Sequence, residues 1–513
     1  MKTHVNTAKT CSPVTFPESR ERRIVWLLCL LAAIHVFVYS AAFPFFNNVD
    51  EKEHFDLVIK YSQGHIPSGL ELFSAETARY VAICGSPEYL NIRYRGDLAE
   101  GQFPPPPWRE PLTEKIHRRL LAAEATCRGQ TNQESTQSPL YYALAGLWWR
   151  LGQGLGFNAG YLLYWLRFQN VLVIAGLVWL GFVAARREFP GRPFLQLGVP
   201  ALLAFLPQTA FYSIQNDVLS PLCFGAAFIG LVNVLRAEVP GVRLGMLTGL
   251  ALAATFLTKI SNLPLLAVSG VVGLFKIRSL AKADKLRASG PALTALVLCA
   301  GLPMFAWLAW CKYNFGDFSG TAAKIQMLGW TQKPFGEWWH HPVFTPRGLW
   351  VFVSNLLASF WRGEFTWHLH HLALPGVDAV YVMTSMFFVG VAVMALLPRF
   401  AAVSQPQRQA LWFGFGSFLA TMAFLGFLSV IYDFHDCFYP SRDHPYFTSG
   451  RLMLGALIPF LLLFVYGLDR ACSLMKPDWL RWLVLAGFIL FMLVSEIAID
   501  WPAFFSQYNR FHM

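Results

Sequence analysis

Eleven long apolar runs constrain the fold of this chain more than any other feature of its sequence. The first run extends from Ile24 to Phe46, and the others are centred on residues 162–185, 194–214, 218–235, 244–257, 262–275, 290–311, 377–397, 409–431, 451–468 and 482–499. Only 14% of the 513 residues are charged, whereas about 25% are charged in a typical soluble protein. Because a spanning helix needs about 20 largely apolar residues, the sequence excludes a soluble enzyme. It predicts an all-α polytopic membrane protein with eleven transmembrane helices.

The basic residues indicate how the chain is oriented. They cluster between alternate apolar runs, at residues 186–192, 236–243, 276–287, 399–408 and 470–481. Since basic residues accumulate in cytoplasmic loops, the N-terminus is predicted to lie in the cytoplasm and the C-terminus outside. This orientation requires Pro139–Arg150, which is short and rich in Tyr and Trp, to lie at the outer interface without spanning. The net charge of +11 then reflects orientation, and no binding of nucleic acid is predicted.

The predicted crossings divide the chain into seven segments. They are a cytoplasmic N-terminus (1–23), the first transmembrane helix (24–46), an extracytoplasmic loop with interfacial helices (47–161), transmembrane helices 2–7 (162–311), a second extracytoplasmic segment (312–376), transmembrane helices 8–11 (377–499) and an extracytoplasmic C-terminus (500–513). Residues 47–138 carry 13 of the 30 carboxylates. The polar chemistry of the protein is therefore expected on its outer face.

The densest polar motif directly follows the first apolar run. Asn48 is predicted to cap a helix, with Glu51 three residues later as in a capping box. Phe55, Val58 and Ile59 have the spacing of an amphipathic helix lying on the membrane surface. The opposite face would carry Asp50, Glu53 and His54. A solvated acidic helix start, stabilised by the helix dipole, is the alternative interpretation.

Further charged residues fall at the outer ends of later apolar runs. The predicted crossings bring acids and cations to one depth, and charges at that depth are costly unless they are paired. Acids placed to accept a proton and cations placed to hold a phosphate indicate group transfer from an anionic lipid. The predicted catalytic residues are Asp50 and Glu51. The predicted substrate- and phosphate-binding residues are Asp217, Asn216, Lys259, Arg451, Arg362 and His54.

The histidine and cysteine residues leave two questions open. No HExxH motif or CxxC pair accompanies the histidines at 340, 341, 368, 370 and 371, so no structural zinc site is predicted. A divalent cation, Mg²⁺ or Mn²⁺, held by Asp50 and Glu51 stays open, and no other cofactor is expected. Cys84 and Cys127 both lie in the first outer loop, and the sequence does not decide whether they form a disulfide.

Several short motifs follow one another in an order found in a known superfamily. They are Asp50-Glu51-Lys52-Glu53-His54-Phe55, Ser138-Pro139-Leu140-Tyr141-Tyr142, Arg167 with Asn170, Pro207-Gln208 ahead of Asn216-Asp217, Thr258-Lys259, Ser359-Phe360-Trp361 and Gly450-Arg451. This order resembles the GT-C superfamily of polyprenyl-phosphate-dependent glycosyltransferases, which includes the protein O-mannosyltransferases and the lipid A aminoarabinose transferase. Within it, the chain is most similar to a bacterial family of predicted membrane proteins.

The resemblance implies a GT-C-like fold in the bacterial inner membrane and an inverting sugar transfer on its extracytoplasmic face. The implied partners are a polyprenyl-phosphate-linked sugar donor, membrane lipid, and a glycan, lipid or protein acceptor. Asp50 would be the base, and Glu51 would orient the acceptor or hold a metal. Asp217 would face the same cavity, while Lys259 and Arg451 would bind the lipid phosphate. Lys52 stands where this family often has Pro.

Two other functions are compatible with charges at the outer ends of spanning helices. A transporter or flippase of a lipid-linked saccharide would also need cations and a membrane cavity, but its charged site normally lies near the midplane. A ligase or polymerase of the O-antigen type usually has its chemistry on a large late loop, whereas the first loop is the acidic one here. A glycosyltransferase is therefore the leading hypothesis.

Overall fold

The computed structural model describes residues 18–89, 105–109, 111–400, 403–437, 439–473 and 479–512. In chain order its α-helices are α1 (Glu18–Ala42), α2 (Glu51–Ser62), α3 (Ala75–Cys84), α4 (Glu114–Arg128), α5 (Leu140–Gly154), α6 (Ala159–Glu188), α7 (Pro193–Ala204), α8 (Ser220–Arg236), α9 (Val242–Thr258), α10 (Leu263–Lys282), α11 (Leu286–Phe315), α12 (Ala322–Met327), α13 (Pro346–Arg362), α14 (Pro375–Leu396), α15 (Gln405–Ile431), α16 (Leu457–Cys472) and α17 (Trp479–Phe505). The protein is mostly helical, as the apolar runs predict.

Among these residues, nine helices are long and apolar enough to cross a membrane. They are α1, α6, α8, α10, α11, α14, α15, α16 and α17, some of them extended by a short 3-10 segment. Each of the other two predicted spans contains a shorter apolar helix, α7 or α9. The chain is thus an all-α polytopic membrane protein, while the count of eleven crossings stays a prediction.

The long connections all lie at one end of the helix bundle. Short connections join α6 to α7, α8 to α9, α10 to α11 and α14 to α15, so each of these pairs is antiparallel. At the other end, residues 43–158 and 316–374 form two long loops, and residues 432–456 form a third. We call this the loop-rich end. It is the end that the basic residues predict to be extracytoplasmic.

Short strands and bridges hold these loops together. Asn48 of the first loop pairs with Phe365 of the second in an isolated bridge. Within the described ranges, the three antiparallel strand pairs are β1 (Glu71–Leu72) with β2 (Thr131–Asn132), β3 (Thr331–Gln332) with β6 (Tyr432–Asp433), and β4 (Thr366–Trp367) with β5 (His370–His371). The loop-rich end is therefore a packed layer in which residues from distant parts of the chain meet.

Helices α3 and α13 of this layer begin at residues whose side chains cap the first turn. The Thr345 side chain accepts a hydrogen bond from the Gly348 backbone N–H, and Pro346 occupies the first position of α13. Ser74 caps α3 in the same way through the Thr77 N–H. Hydroxyl N-caps and an initial proline favour helix starts because the first N–H groups of a helix lack intrahelical partners.

Helix α16 forms the centre of the bundle. Almost all of its residues are buried, and it packs against α7, α8, α14, α15 and α17. By contrast, α11 packs mainly against α9 and leaves most of its apolar surface exposed, as expected of a helix that faces lipid. The 3-10 turn Gly450–Ala456 leads into α16, so the most enclosed helix begins with the residues around Arg451.

The helix that follows α1 differs from its prediction in two respects. Asn48 does not cap α2, because its side-chain amide donates to the Thr209 carbonyl and to Ser213 Oγ. The residue before the helix is Asp50, whose side chain makes no capping hydrogen bond. Furthermore, α2 does not lie on a membrane surface, since buried residues occur on all of its faces.

The aromatic residues of helix α5 differ from their prediction, while the placement of this helix at the outer interface stays a prediction. Its aromatic residues were expected at the membrane interface, but Tyr141, Tyr142 and Trp149 are buried against α2 and its neighbours. The two cysteines of this loop are free, buried thiols. Cys84 belongs to the main core, whereas Cys127 packs with Phe73 and Ala78, so the structure has no disulfide between them.

Candidate active site

A cavity of about 1090 Å³ lies among the loops at the loop-rich end. Its charged or titratable lining residues include Asp50, His54, Glu134, Lys259, Lys324, Glu364 and Arg451. Other parts of the wall are apolar, with contributions from Ile325, Trp330, Phe424, Leu428 and Phe447. The cavity can therefore hold a molecule with a charged or polar part and an apolar part.

Asp50 enters the cavity from the residue that directly precedes α2. Its backbone has φ of 62°, in the left-handed region, which Asp tolerates better than most residues with a Cβ. Its Oδ2 lies 2.5 Å from Arg451 Nη2, and its Oδ1 accepts a hydrogen bond from Gln133 Nε2 at 3.1 Å. The carboxylate is thus held between the first loop and the start of the α16 segment.

Arg451 is the hub of the charged network. Besides Asp50, its guanidinium lies 3.3 Å from Glu364 Oε2 and 3.7 Å from Asp217 Oδ2. Nη1 also donates to the Val49 carbonyl at 3.2 Å. One cation therefore joins three carboxylates that lie far apart in sequence, and its residual exposure of 8% is on the cavity side.

Lys259 supplies a second cation to the same network. Its Nζ lies 2.7 and 2.8 Å from the two carboxylate oxygens of Asp217. Asp217 is only 1% exposed and lies behind the cavity lining, whereas Lys259 reaches the cavity itself. Asp217 therefore holds Lys259 and Arg451 in place from behind, and the expectation that it faces the cavity is wrong.

Lys324 is a third cation, which the sequence did not single out. It belongs to the short helix α12 of the second long loop and forms an ion pair with Glu134 of the first loop. Burial opposes its charge, but Glu134 and Asp50 outweigh burial and raise the pKa of the Lys324 ammonium group. Lys324 is therefore charged where it lines the cavity, beside Glu134.

The same charges set the protonation of Asp50 and His54. Burial alone would raise the pKa of Asp50, but Arg451 and Lys324 outweigh it and hold that pKa below its usual range. Burial lowers the pKa of His54 to about 4, helped by Lys259 and Arg451 and opposed by Glu134 and Asp50. At neutral pH the site thus has an ionised Asp50 and an uncharged His54.

Glu53, which directly precedes the cavity residue His54 in α2, gives a pH-dependent prediction. Burial, with the nearby charges of Asp50 and Glu134, raises the pKa of Glu53 to about 7 against the opposing charge of Lys52. The native state then holds this proton more tightly than the unfolded chain, so the stability contributed by this group falls as the pH rises from about 4.5 through about 7 and is constant above that. Glu53→Gln should therefore raise the melting temperature in detergent more at pH 8 than at pH 5.

Glu114→Gln is the matched control for this measurement, because the Glu114 side chain is 75% exposed. It should leave the melting temperature unchanged at both values of pH. An equal gain for Glu53→Gln at pH 5 and pH 8 would contradict the assignment of a protonated Glu53.

Glu51 does not line the cavity, although the sequence predicted it beside Asp50 as a catalytic residue. Both of its carboxylate oxygens accept hydrogen bonds of 2.8 Å from Arg167 of α6. The Phe46 and Ile214 backbone N–H groups donate to it as well. Glu51 is 1% exposed and Arg167 also 1%. This pair fixes the end of α1 and the start of α2, so Glu51 positions Asp50 and does not contact substrate.

Two other predicted binding residues lie outside the cavity lining. Arg362 forms a two-point ion pair with Asp378, with N–O distances of 2.7 and 3.0 Å. Asn216 is fully buried, where its amide donates to Gln137 Oε1 and to the Thr258 carbonyl. The structure therefore does not bring Arg362 or Asn216 to the site, whereas it joins Asp50, Asp217, Lys259 and Arg451 in one network.

Comparison with known proteins places the chain in a family. Residues 29–432 match the model of a family described as "Predicted membrane protein (DUF2142)". The chain belongs to this family. No curated protein matches it. The matched range of this DUF2142 protein contains Asp50, His54, Glu134, Lys259 and Lys324, while Arg451 lies beyond it.

A divalent cation does not fit the site of this DUF2142 protein. A Mg²⁺ or Mn²⁺ site needs several oxygen ligands that are free to coordinate the ion, yet Asp50, Glu134 and Glu364 are each paired with Arg451 or Lys324. The described part of the chain also contains no group of three or more His, Cys, Asp or Glu residues arranged to hold a metal. The cation considered at Asp50 and Glu51 is excluded as well, because Glu51 points away from the cavity.

Proposed function

We propose that this protein is an inverting membrane glycosyltransferase of the GT-C type. It would move a sugar from a polyprenyl-phosphate donor to an acceptor of the cell envelope, on the outer face of the bacterial inner membrane. The observation that carries the proposal is the convergence of the ionised carboxylate of Asp50 with three cations, Lys259, Lys324 and Arg451, on one cavity. These are the groups that such a transfer requires.

A lipid-linked donor suits the dimensions and the lining of the cavity. The apolar residues from α15 and the start of α10 border the cavity where spanning helices end, which is the depth at which a lipid phosphate lies. The charged wall then receives the phosphate, and the apolar wall receives the first part of the hydrocarbon chain. The basic residues at the opposite end of the bundle favour an extracytoplasmic site.

In the proposed reaction the acceptor hydroxyl attacks the anomeric carbon of the sugar from the face opposite the phosphate. A bond forms between the acceptor oxygen and this carbon, while the bond between the carbon and the phosphate oxygen breaks. The electron pair of the broken bond leaves with the polyprenyl phosphate, and Asp50 takes the proton of the hydroxyl. One displacement of this kind inverts the configuration at the anomeric carbon.

The low pKa of Asp50 is compatible with its role as the base. As the acceptor oxygen forms its new bond it becomes positively charged, so its proton becomes strongly acidic and passes to a weak base late in the step. Arg451 pairs with Asp50 at rest and is also a cation that a donor phosphate would contact. Phosphate binding would therefore share the charge of Arg451 between Asp50 and the phosphate and make the carboxylate more basic.

The three cations provide the positive charge that a metal ion would otherwise supply to the leaving phosphate. Negative charge develops on the phosphate as it leaves, and fixed cations in a partly enclosed site stabilise that charge. Arg451 and Lys259 are held by Asp217, and Lys324 by Glu134. Because these partners fix the cations in advance, the site needs little rearrangement during the reaction.

The test of this proposal is an Asp50→Asn variant expressed in a strain that lacks the native gene. Asn keeps the size of the side chain but cannot accept the proton as a carboxylate does, so the glycan that the deletion removes should not return. Mass spectrometry of envelope glycans checks this, with protein levels in the membrane measured in parallel. Asp443→Asn, at an exposed residue outside the cavity lining, should restore the glycan fully.

Full restoration by Asp50→Asn would contradict the assignment of Asp50 as the base. If the deletion itself altered no glycan, the proposal of a glycosyltransferase would fail as a whole.

A further inference from the structure

His54 is a buried side chain that lines the cavity and has a buried hydrogen-bonding atom without a protein partner among the described residues. It is 1% exposed and is the fourth residue of α2, four residues after Asp50. Its Nδ1 lies 2.7 Å from the Tyr142 hydroxyl. Its Nε2 has no hydrogen-bond partner in the part of the chain that the structure describes. Buried polar atoms in proteins are almost always paired, so this nitrogen is available to a ligand atom from the cavity that His54 lines.

The partner of Nδ1 decides which kind of atom Nε2 can bind. The Tyr142 hydroxyl is buried, and His54 is its hydrogen-bond partner among the described residues. If Nδ1 carried the imidazole proton, the phenol hydrogen would lack an acceptor. If the phenol donates to Nδ1, that hydrogen is satisfied, and a neutral imidazole must carry its own proton on Nε2. The Nε2–H group is then a donor and needs an oxygen acceptor.

His54 is uncharged, so its role differs from that of the three cations. Burial keeps its pKa near 4, so the imidazole is neutral at the pH of the cell envelope. A neutral donor adds little attraction for a phosphate, which Lys259, Lys324 and Arg451 can already contact. It does suit a hydroxyl, because a buried neutral donor pairs with a neutral oxygen without leaving a charge uncompensated.

On these grounds, and resting on the proposed function, we propose that His54 selects the sugar of the donor lipid. The Nε2–H group donates a hydrogen bond to a hydroxyl oxygen of that sugar, and the Tyr142 hydroxyl fixes the imidazole in the tautomer that donates. His54 would thus be a specificity-determining residue that contacts the substrate, distinct from the phosphate-binding cations. Sites that hydrogen-bond a substrate hydroxyl reject analogues that lack it.

The experiment measures the dissociation constants of two lipids for the purified full chain in nanodiscs. One probe is undecaprenyl phosphate, and the other is the same lipid carrying glucose, galactose or mannose, whichever the wild type binds most tightly. His54→Asn places its amide near the position of Nδ1 and leaves the position of Nε2 empty. It should weaken binding of the glycosylated lipid on the order of tenfold, the effect of one lost hydrogen bond, with the bare lipid unaffected.

His54→Gln places its amide near the position of Nε2 and should bind the glycosylated lipid almost as the wild type does. This rescue separates a contact with the sugar from a general loss of folding, and both variants are compared for monodispersity and melting temperature. The matched control is His341→Asn, because His341 is a buried histidine whose two nitrogens both have protein partners outside the cavity. It should change neither dissociation constant.

Three results would overturn the inference. They are unchanged binding of the glycosylated lipid by His54→Asn, an equal loss for both lipids, and a wild type that binds bare undecaprenyl phosphate but no glycosylated form. A wild type that binds neither lipid would instead contradict the proposed function. The two failures are therefore distinguishable in one set of measurements.

Discussion

Replacement of Arg451 by Met is expected to lower the rate of sugar transfer by about 10²–10³-fold, the usual effect of removing one fixed group that stabilises developing charge. Arg451 contacts Asp50, Asp217 and Glu364 and lines the cavity. Its removal would both weaken phosphate binding and leave three carboxylates without their shared cation. The measurement is transfer by membranes that contain equal amounts of the wild type and the variant.

Two further variants separate these effects. Arg451→Lys keeps the positive charge but cannot reach three carboxylates at once, so it should retain more activity than Arg451→Met. Arg442→Met removes an exposed arginine of the same loop layer, which contacts Asp433 and His435 outside the cavity, and should be fully active. Equal activity of Arg451→Met and the wild type would contradict the assignment of Arg451 to the active site.

Replacement of Arg167 by Met is expected to destabilise the protein by about 3–5 kcal/mol, because it leaves the buried Glu51 carboxylate without a counterion. Arg167 also donates to the backbone carbonyls of Ser40, Phe43 and Pro44, and it lies 4.3 Å from the centre of the Phe45 ring. Thermal unfolding in detergent, followed by loss of the monodisperse species, measures the effect.

The double variant Glu51→Gln/Arg167→Met tests the cause. Since it removes both charges, it should be more stable than Arg167→Met alone. Glu51→Gln by itself should lower stability, and any loss of activity should follow the loss of folded protein. A Glu51→Gln protein that is as stable as the wild type yet inactive would contradict the structural role and restore Glu51 as a catalytic residue.

The sequence predicted the helical elements well because apolar runs are a local signal. Each predicted span contains an apolar helix, and the sequence placed the large acidic loop directly after the first helix. The lengths of α7 and α9 were less predictable. The run centred on 194–214 ends its helix at Ala204 and continues as irregular chain with a 3-10 turn at Thr209–Tyr212. Pro207 and Gln208 interrupt the apolar residues there.

The sequence could not assign the roles of neighbouring acids, which depend on distant partners. Asp50 and Glu51 are adjacent, yet one faces the cavity and the other faces Arg167, 116 residues later in the chain. Likewise, no motif marks Lys324, which reaches the site because α12 packs beside the first loop through its pair with Glu134. A single lysine in a loop between two predicted spans carries no local signal of such a contact.

The most direct test of the central claim measures the donor lipid on intact spheroplasts, with periodate added from outside to oxidise exposed sugars. Asp50→Asn cells should accumulate a polyprenyl-phosphate-linked sugar that periodate reaches, because donor presented on the outer leaflet is no longer consumed. Wild-type and Asp443→Asn cells should not accumulate it. If the lipid-linked sugar instead accumulates out of reach of periodate, a flippase is favoured and the proposed transfer reaction is contradicted. An unchanged lipid pool would contradict both functions.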